Sequence, residues 1–218
     1  MAPSSFCDNS CVLEAADVEC QRGGRSLFRS LSFALRGGEL LRIAGANGSG
    51  KTSLLRILCG LLAPTRGEVR WQGRPIGALR EDFSRQLVYL GHAPGVKDDL
   101  SAAENLSISC ALAGLQVAPD SVREALGRYG LPAGETPVKK LSQGQRRRAA
   151  LARLVLSESV PLWLLDEPLA ALDAAAAKVT EELIARQVAR GASVIYTTHQ
   201  EAHIEGPVRV LNLEEAGA

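Results

Sequence analysis

The fold is decided by residues 39–58, which read ELLRIAGANGSGKTSLLRIL. An apolar run that favours a buried strand leads into a Gly-rich loop, and apolar residues then recur at helical spacing until Pro64. Within this stretch, Gly45–Thr52 fits the pattern G-x-x-x-x-G-K-[ST], with the strand before it and the helix after it that the pattern requires. The sequence therefore predicts a phosphate-binding loop between a strand and a helix.

The residue types in this loop match the chemistry of a nucleotide. Its glycines allow a tight turn in which backbone N–H groups point at phosphate oxygens, and the helix adds its positive end. Lys51 supplies a mobile charge for the β- and γ-phosphates, and the Thr52 hydroxyl is placed to ligate Mg²⁺. A Gly-rich turn with an accidental lysine is the alternative, which the flanking strand and helix disfavour. The candidate nucleotide-binding residues of the loop are Gly45, Ala46, Asn47, Gly48, Ser49, Gly50, Lys51, Thr52 and Ser53.

Strand and helix patterns alternate along the rest of the chain. Three short strands are predicted between Val12 and Leu41, a strand pair at 67–76 and a buried strand at 87–91. Helical patterns fill 102–155, and strands return at 160–166, 192–199 and 208–215 around an Ala-rich helix at 174–190. This alternation predicts an α/β fold with a mostly parallel sheet and a helical insertion between Pro94 and about Ser157.

Composition and charge narrow the class of protein. The chain has 218 residues, the size of one domain, and 25 Lys and Arg against 24 Asp and Glu give a net charge of +1. This balance disfavours binding to nucleic acid through a broad basic surface. No stretch is long and apolar enough to predict a membrane-spanning helix, and residues 1–11 read as a loose N-terminus without the features of a signal peptide. We therefore expect a cytosolic chain.

The cysteines favour the same compartment. Their number is odd, and they form no C-x-x-C pair, so reduced and mostly buried thiols are expected. A disulfide or a metal shared by the first two is the weaker alternative, because two ligands at that spacing are not diagnostic. The five are Cys7, Cys11, Cys20, Cys59 and Cys110.

A second acidic motif follows the strand predicted at 160–166. A buried strand that ends in Asp166 can hold a water on Mg²⁺, and the adjacent Glu167 can polarise an attacking water. Acidic residues also end strands where the chain simply meets solvent, so the pair gains meaning only through a long insertion between the two strands. The helical segment before residue 157 supplies that insertion.

A third motif resembles the signature of a known family. The residues Leu141, Ser142, Gln143, Gly144 and Gln145, followed by RRRAALARL, resemble the LSGGQ signature and helix of ABC transporter ATP-binding subunits, with Gln143 in place of a glycine. The resemblance covers essentially the whole chain in the order that the family requires. Besides the phosphate loop and the signature, it includes 162–167, a D-loop at 171–173 and a switch histidine, His199.

The resemblance implies a P-loop ABC ATPase cassette with an N-terminal antiparallel β subdomain and a helical subdomain at about 94–157, all within one nucleotide-binding domain of residues 1–218. It also implies ATP and Mg²⁺ as cofactors, with Thr52 and Asp166 as metal ligands. Glu167 and His199 would be catalytic. The signature would bind the ATP of a second copy in a head-to-tail homodimer, and Asp173 would bridge the two subunits. In isolation, His199 would read as a core histidine at a strand end.

Two positions depart from the family pattern. The family usually has a glutamine after the strand at 86–90, where this chain has His92, which we expect at the nucleotide. A neutral imidazole is a poorer partner for Mg²⁺ than an amide oxygen, and a histidine at this position could make the activity pH-sensitive. The family also has an aromatic residue near 20–22 that stacks on adenine. Here Arg22 could stack through its guanidinium, or Phe28 could fold in.

The departures themselves resemble one subfamily. The segments GHAPGVKDDLSAAENL at 91–106 and WQGRPI at 71–76 are similar to those of the ATP-binding subunits of bacterial haem exporters of cytochrome c biogenesis. This resemblance implies an integral membrane transporter subunit as partner and a peripheral position on the cytoplasmic face of the inner membrane. An ATPase subunit for another transported substrate is the nearest alternative. A soluble ABC-type ATPase and a non-hydrolysing nucleotide sensor are the others.

Three consecutive arginines, at 146–148, have a simpler interpretation. On a helix such side chains point about 100° apart, and the near-zero net charge offers no wider basic field. We therefore interpret them as a solvated helix start near phosphate and expect no nucleic-acid partner. Trp71 and Trp163 are expected in the core.

Overall fold

We describe residues 11–214 in a computed structural model of the chain, with the backbone alone for Cys11. Within this range the strands are β1 Cys11–Arg22, β2 Arg25–Arg36, β3 Leu40–Ala44, β4 Arg66–Trp71, β5 Arg74–Pro75, β6 Leu87–Leu90, β7 Leu162–Leu165, β8 Ser193–Thr197 and β9 Val208–Asn212. The helices are α1 Lys51–Leu58, α2 Ile76–Leu79, α3 Glu81–Ser84, α4 Ala102–Leu112, α5 Pro119–Arg128, α6 Gln143–Leu156 and α7 Ala174–Ala189, with a 3-10 turn at Val138–Lys140. The short helices α2 and α3 are not evident from the sequence pattern.

The central sheet is parallel throughout. Its five strands lie in the order β6-β7-β8-β3-β9, and every neighbouring pair runs in the same direction. Parallel neighbours need crossover connections, and helices provide them between β6 and β7 and between β7 and β8, whereas residues 198–207 lead to β9 without a helix. The predicted α/β class with a parallel core sheet is confirmed.

A second sheet, of antiparallel strands, lies in the order β2-β1-β4-β5. Strands β1 and β2 are joined at Gly23-Gly24, and β4 and β5 at Gln72-Gly73, with positive φ at all four turn residues. Two-residue turns of this kind match the twist of antiparallel strands. The N-terminal antiparallel subdomain is thus confirmed. Of the three strands predicted before residue 41, the third leaves this sheet and joins the parallel one as β3.

The apolar residues form two cores, one on each face of the parallel sheet. Along β7, Leu162 and Leu164 face the core shared with α1 and the antiparallel sheet, whereas Trp163 and Leu165 face the core shared with α4–α7. Full burial of one such side chain stabilises the fold by about 1.5–3 kcal/mol. Trp163 is fully buried and Trp71 is 4% exposed, which confirms both as core residues.

Helices α4, α5 and α6 lie between β6 and β7 in the chain and pack on one another. Helix α4 begins with a capping box, in which Ser101 accepts from the amide of Glu104 at 3.2 Å and donates its own amide to the Glu104 carboxylate. Helix α5 begins with Pro119, whose fixed φ suits the first turn. These helices set the start of α6, which carries the signature motif.

The described cysteines carry free thiols. Cys20 and Cys110 are buried, Cys59 is half-buried, and burial raises the pKa of all three. This confirms the expected reduced thiols at these positions, while Cys7 and the side chain of Cys11 lie outside the described residues. Strand β1 already begins at Cys11, the last residue of the predicted loose N-terminus. Among the described helices, none has both the length and the apolarity that crossing a bilayer requires.

Candidate active site

The carboxyl ends of four neighbouring strands meet at one edge of the parallel sheet. The phosphate loop follows β3, His92 follows β6, the acidic pair follows β7 and His199 follows β8. In open α/β sheets, ligands bind in the crevice outside these ends. The crevice here is a cleft of about 400 Å³. It is lined by Leu27, Asn47, Gly48, Gly50, Lys51, Thr52, Ser53, His92, Asp166, Glu167 and His199.

The phosphate loop depends on its glycines. Gly45, Gly48 and Gly50 have φ values of 147°, 82° and 104°, a backbone region that L side chains rarely adopt. Gly50 also caps α1, and a Cβ there would lie 3.1 Å from the Phe28 ring and from Leu27. A side chain at this position would therefore push the loop away from β2.

Polar groups of the loop fit a phosphate. Lys51 is 8% exposed, and its ammonium group donates to the carbonyls of Gly45 at 2.7 Å and Ala46 at 3.0 Å, so that among residues 11–214 one of its three donors has no acceptor. The buried hydroxyl of Ser49 has no hydrogen-bond partner within residues 11–214. A phosphate group would supply the acceptors that both groups lack.

Asp166 is held by two threonines. One carboxylate oxygen accepts from the Thr52 hydroxyl at 2.8 Å, and the other accepts from the Thr197 hydroxyl, also at 2.8 Å. Thr197 in turn accepts from the backbone amide of Glu167 at 2.9 Å. These hydrogen bonds join the phosphate loop to the ends of β7 and β8. They also place the Thr52 hydroxyl beside the Asp166 carboxylate, and Mg²⁺ accepts oxygen ligands of both kinds.

Glu167 and His199 form a pair at the mouth of the cleft. The backbone amide of His199 donates to Glu167 Oε2 at 3.2 Å, and the imidazole Nε2 lies 3.5 Å from Oε1. The Glu167 side chain is 13% exposed, and Oε1 is buried without a hydrogen-bond partner in the described part of the chain. Glu167 also has a positive φ of 52°, a backbone conformation that is rare outside glycine and concentrated at functional sites. A carboxylate with a spare buried lone pair is suited to hold a water.

Arg147 corrects the interpretation of the arginine run. Its side chain is 4% exposed instead of solvated, and its guanidinium donates to four backbone carbonyls at the sheet edge. Nη1 donates to Gly91 at 2.8 Å and His92 at 3.3 Å, and Nη2 donates to Asp166 at 2.8 Å and Glu167 at 2.7 Å. The interpretation was wrong here because the carbonyl groups that satisfy the side chain come from two distant parts of the sequence.

The signature residues lie outside this cleft. Ser142 caps α6 through a capping box with Gln145. The Ser142 hydroxyl accepts from the Gln145 backbone amide at 3.2 Å, and the Ser142 backbone amide donates to the Gln145 side-chain oxygen at 2.9 Å. Ser142 and Gln143 are exposed, and Gly144 packs so closely that a Cβ would lie 3.1 Å from the Ala171 carbonyl. The N-terminus of α6 therefore lies at the surface of the described part of the chain.

Comparison with known proteins agrees with this geometry. The family model described as ABC transporter matches residues 28–170. The chain belongs to the ABC transporter family. The protein named cytochrome c biogenesis ATP-binding export protein CcmA of Aromatoleum aromaticum is 52% identical over 95% of this chain and 97% of its own length. Its namesake in Nitrosomonas europaea is 52% identical over 87% of this chain and 89% of its own length.

Solved structures share the fold of this ABC cassette. An ATP-binding subunit of an ABC transporter superposes with a TM-score of 0.81 at 24% identity, covering 93% of this chain and 88% of the other. A bacterial ABC transporter cassette solved as a dimer superposes with a TM-score of 0.79 at 22% identity, covering 92% and 94%. At such identities the likeness concerns the fold alone, and it confirms the predicted cassette.

The predicted residues of the cassette fall into two groups. The structure brings together the phosphate loop, His92, the acidic pair and His199, whereas the signature and Asp173 lie elsewhere. Asp173 caps α7 by accepting from the Ala176 amide at 2.8 Å, and it lies 3.7 Å from Arg148. The roles of all these residues stay predictions.

One suggestion for the nucleotide base is wrong. Phe28 is 2% exposed and packs beneath the phosphate loop, so it cannot fold onto a base without leaving the core. The residue before Phe28, Leu27, lines the cleft instead. Arg22, the other residue considered for the base, is exposed at the end of β1.

Two functional candidates of the cassette escape sequence reasoning. Arg147 looks like one member of a basic run, and Thr197 looks like a β-branched residue of a buried strand. The signal for Thr197 is slight: two consecutive threonines precede His199 at the end of β8. Arg147 gives no comparable signal in the sequence.

Proposed function

We propose that this chain is the ATP-binding and ATP-hydrolysing subunit of a membrane exporter that acts in cytochrome c biogenesis. The observation that carries the proposal is the single cleft in which the phosphate loop, Asp166, Glu167 and His199 meet. The relatives at 52% identity, whose name includes both ATP binding and export, support the biological setting. Haem as the exported group rests on the subfamily resemblance.

The residues of the cleft divide the chemistry among them. Backbone amides of the loop and Lys51 bind the phosphates of ATP, and Thr52 and Asp166 hold Mg²⁺. When bound, Mg²⁺ neutralises charge on the β- and γ-phosphates. Glu167 orients the attacking water and accepts its proton, while His199, 3.5 Å from that carboxylate, donates to the γ-phosphate. His92 lines the same cleft, where it would contact the nucleotide.

The complete site requires a second copy of the chain, arranged head to tail. The exposed signature residues, at the N-terminus of α6, lie outside the cleft of their own chain, where they are free to bind the γ-phosphate held by the other copy. Ser142 contributes its hydroxyl and Gly144 its amide. In the dimer, the Asp173 carboxylate gives up its ion pair with Arg148 of its own chain and contacts the other copy. The fold shared with a cassette solved as a dimer supports this arrangement.

The membrane setting follows from the export role. An integral transporter subunit binds the chain at the cytoplasmic face of the bacterial inner membrane, and α4–α6 relay the change in the nucleotide site to it. We accordingly treat residues 1–218 as one nucleotide-binding domain, with the inserted helical subdomain at about 94–157. A subunit for another exported substrate would use the same cleft, because the membrane partner selects the substrate.

The replacement Glu167→Gln tests the assignment. The amide oxygen of glutamine still accepts from the His199 amide, but the side chain no longer accepts the proton of water. ATP turnover by the full chain should therefore fall about 10²–10⁴-fold while ATP affinity is unchanged. Lys51→Met provides the contrast, because it should abolish ATP binding itself. Full turnover by the Glu167→Gln chain would overturn the role of Glu167, and a wild-type chain that neither binds nor hydrolyses ATP would overturn the proposed function.

A further inference from the structure

Beyond their paired stretches, strands β6 and β7 leave a gap that is rich in carbonyl groups. Their ladder ends with Leu90 beside Leu165 and with the Asp166 amide donating to the Leu90 carbonyl at 2.8 Å. After that bond the two chains diverge, one toward His92 and the other toward Glu167. Within the described residues, the Gly91, His92 and Asp166 carbonyls beyond that bond receive no backbone hydrogen bond, whereas the Glu167 carbonyl accepts one from the Ala170 amide at 3.1 Å. Buried carbonyls of this kind need a partner.

Arg147 fills this gap from a third element. The side chain reaches down from α6, and each terminal nitrogen of its guanidinium donates to one pair of carbonyls, the Gly91–His92 pair and the Asp166–Glu167 pair. The planar fork of arginine suits two sets of acceptors at once. Lysine has three donors on one atom, and glutamine has two donors beside an acceptor that the carbonyls would repel. Burial lowers the pKa of Arg147, and the Asp166 and Glu167 carboxylates act in the opposite direction.

The same side chain therefore ties the nucleotide cleft to the signature helix. Arg147 lies four residues after Gln143, the first residue of α6, which corresponds to a rise of about 6 Å along the helix axis. The segment that follows His92 is also held by α4, where Asn105 accepts from the Lys97 amide at 2.7 Å and donates to the Lys97 carbonyl at 3.0 Å. A displacement of α6 must consequently move the backbone of His92 and Glu167 with it.

We propose that Arg147 is a positioning residue that fixes the backbone of His92 and Glu167 relative to the signature helix. It touches neither the nucleotide nor the reacting water, and it acts through His92 and Glu167, two of the four residues whose carbonyls it holds. When the signature closes on the ATP of the second copy, Arg147 sets the Glu167 carboxylate for hydrolysis in its own chain. The inference rests on the proposed function and adds to it a link between the two composite sites.

Steady-state ATP hydrolysis by the full chain tests the link with Arg147→Gln and Arg147→Lys. Displacement of a catalytic group by about 1 Å costs about a hundredfold in rate, so Arg147→Gln should lower kcat by about that factor. KM should stay within about threefold of the wild type, because the phosphate loop is untouched. Arg147→Lys should recover part of the loss, since one ammonium reaches one pair of carbonyls. Should the glutamine variant not fold, the lysine variant carries the comparison.

The matched control is Tyr129→Phe. Tyr129 is a buried residue outside the cleft whose hydroxyl lies 3.1 Å from Thr180, so its loss lowers stability while every hydrogen bond of Arg147 is retained. Thermal unfolding should show both variants destabilised, while only the Arg147 variants lose kcat. Equal kcat in Arg147→Gln and Tyr129→Phe would overturn the inference, as would a rise in KM at constant kcat. A wild-type chain without ATPase activity would instead overturn the proposed function, and the inference would fall with it.

Discussion

The replacement Thr197→Val removes a hydroxyl that serves two groups of the active site. Thr197 is fully buried at the end of β8, donates to Asp166 Oδ1 at 2.8 Å and accepts from the Glu167 amide at 2.9 Å. Valine has nearly the same shape, so the variant creates no cavity. What changes is that a carboxylate oxygen and a backbone amide both lose a partner in a buried place.

The two losses set the size of the effect. A hydrogen bond to a charged group contributes about 1.5–3 kcal/mol, and a buried amide left without a partner costs about 1–3 kcal/mol. Because the groups are neighbours and their effects overlap, the free energy of unfolding should fall by about 2–5 kcal/mol. A fall of this size is a large part of the typical 5–15 kcal/mol of a folded domain. Turnover should fall too, since Asp166 and Glu167 lose the group that aligns them.

The control is Thr197→Ser, which keeps the hydroxyl and removes one methyl group. It should cost about 1 kcal/mol, the value expected for a buried methyl group. Urea unfolding of both variants and the wild type measures the difference, and ATP turnover is measured on the same preparations. If valine destabilises the chain no more than serine does, the hydroxyl does not hold the two carboxylate residues and the reasoning is refuted.

Two further predictions concern a helix cap and a thiol. Ser142→Ala and Ser101→Ala each remove a capping box and should each cost about 1 kcal/mol in the free energy of unfolding, but only Ser142→Ala should also reduce ATP turnover, because its hydroxyl is proposed to reach the second copy's nucleotide. Equal turnover in the two variants would contradict that role. Burial raises the pKa of Cys59 to about 11, so its alkylation by iodoacetamide in the native chain should increase about tenfold per pH unit from pH 7 to pH 10. Peptide mass spectrometry measures this rate, and a plateau near pH 9 in the native chain would contradict it.

The parts of the site that the sequence predicts are those carried by contiguous residues. The phosphate loop combines its glycines, lysine and threonine within eight positions, and the acidic pair ends an apolar strand. Each pattern includes, in consecutive residues, the side chains that its predicted role requires. The neighbouring parallel strands then bring the two patterns together at one edge of the sheet. The signature, in contrast, is recognised by resemblance alone, because no physical property of its five residues requires an ATP-binding role.

Arg147 and Thr197 could not be predicted because their partners are far away in the chain. The guanidinium satisfies carbonyls 55 and 56 residues before it and 19 and 20 residues after it, and the hydroxyl bonds a carboxylate 31 residues before it. Without these carbonyl acceptors, an arginine side chain within a basic helical run would be expected in solvent. Which face of α6 meets the sheet edge is decided by the packing of three helices, and the sequence pattern does not contain that information.

Phe28 illustrates the opposite error. Its position near the first strands made it a candidate for stacking on a base, yet the ring lies beneath the phosphate loop in contact range of Gly50. An aromatic side chain gains more from full burial than from partial contact with a ligand, and β2 offers it a complete pocket. Phe28 is buried because of where the antiparallel sheet packs. The local alternation of polar and apolar residues along β2 does not specify that placement.

The capping boxes of α4 and α6 differ by one negative charge. As a result, the two helix N-termini differ in their electrostatic attraction for anions. On α4 the reciprocal partner is Glu104, whose pKa is lowered by its hydrogen bonds to Ser101, so a full negative charge offsets the partial positive charge of that helix end. On α6 the equivalent partner is the neutral amide of Gln145, and the first turn contains no acidic residue. The same local device therefore gives one helix end that repels anions and one that retains its attraction for them.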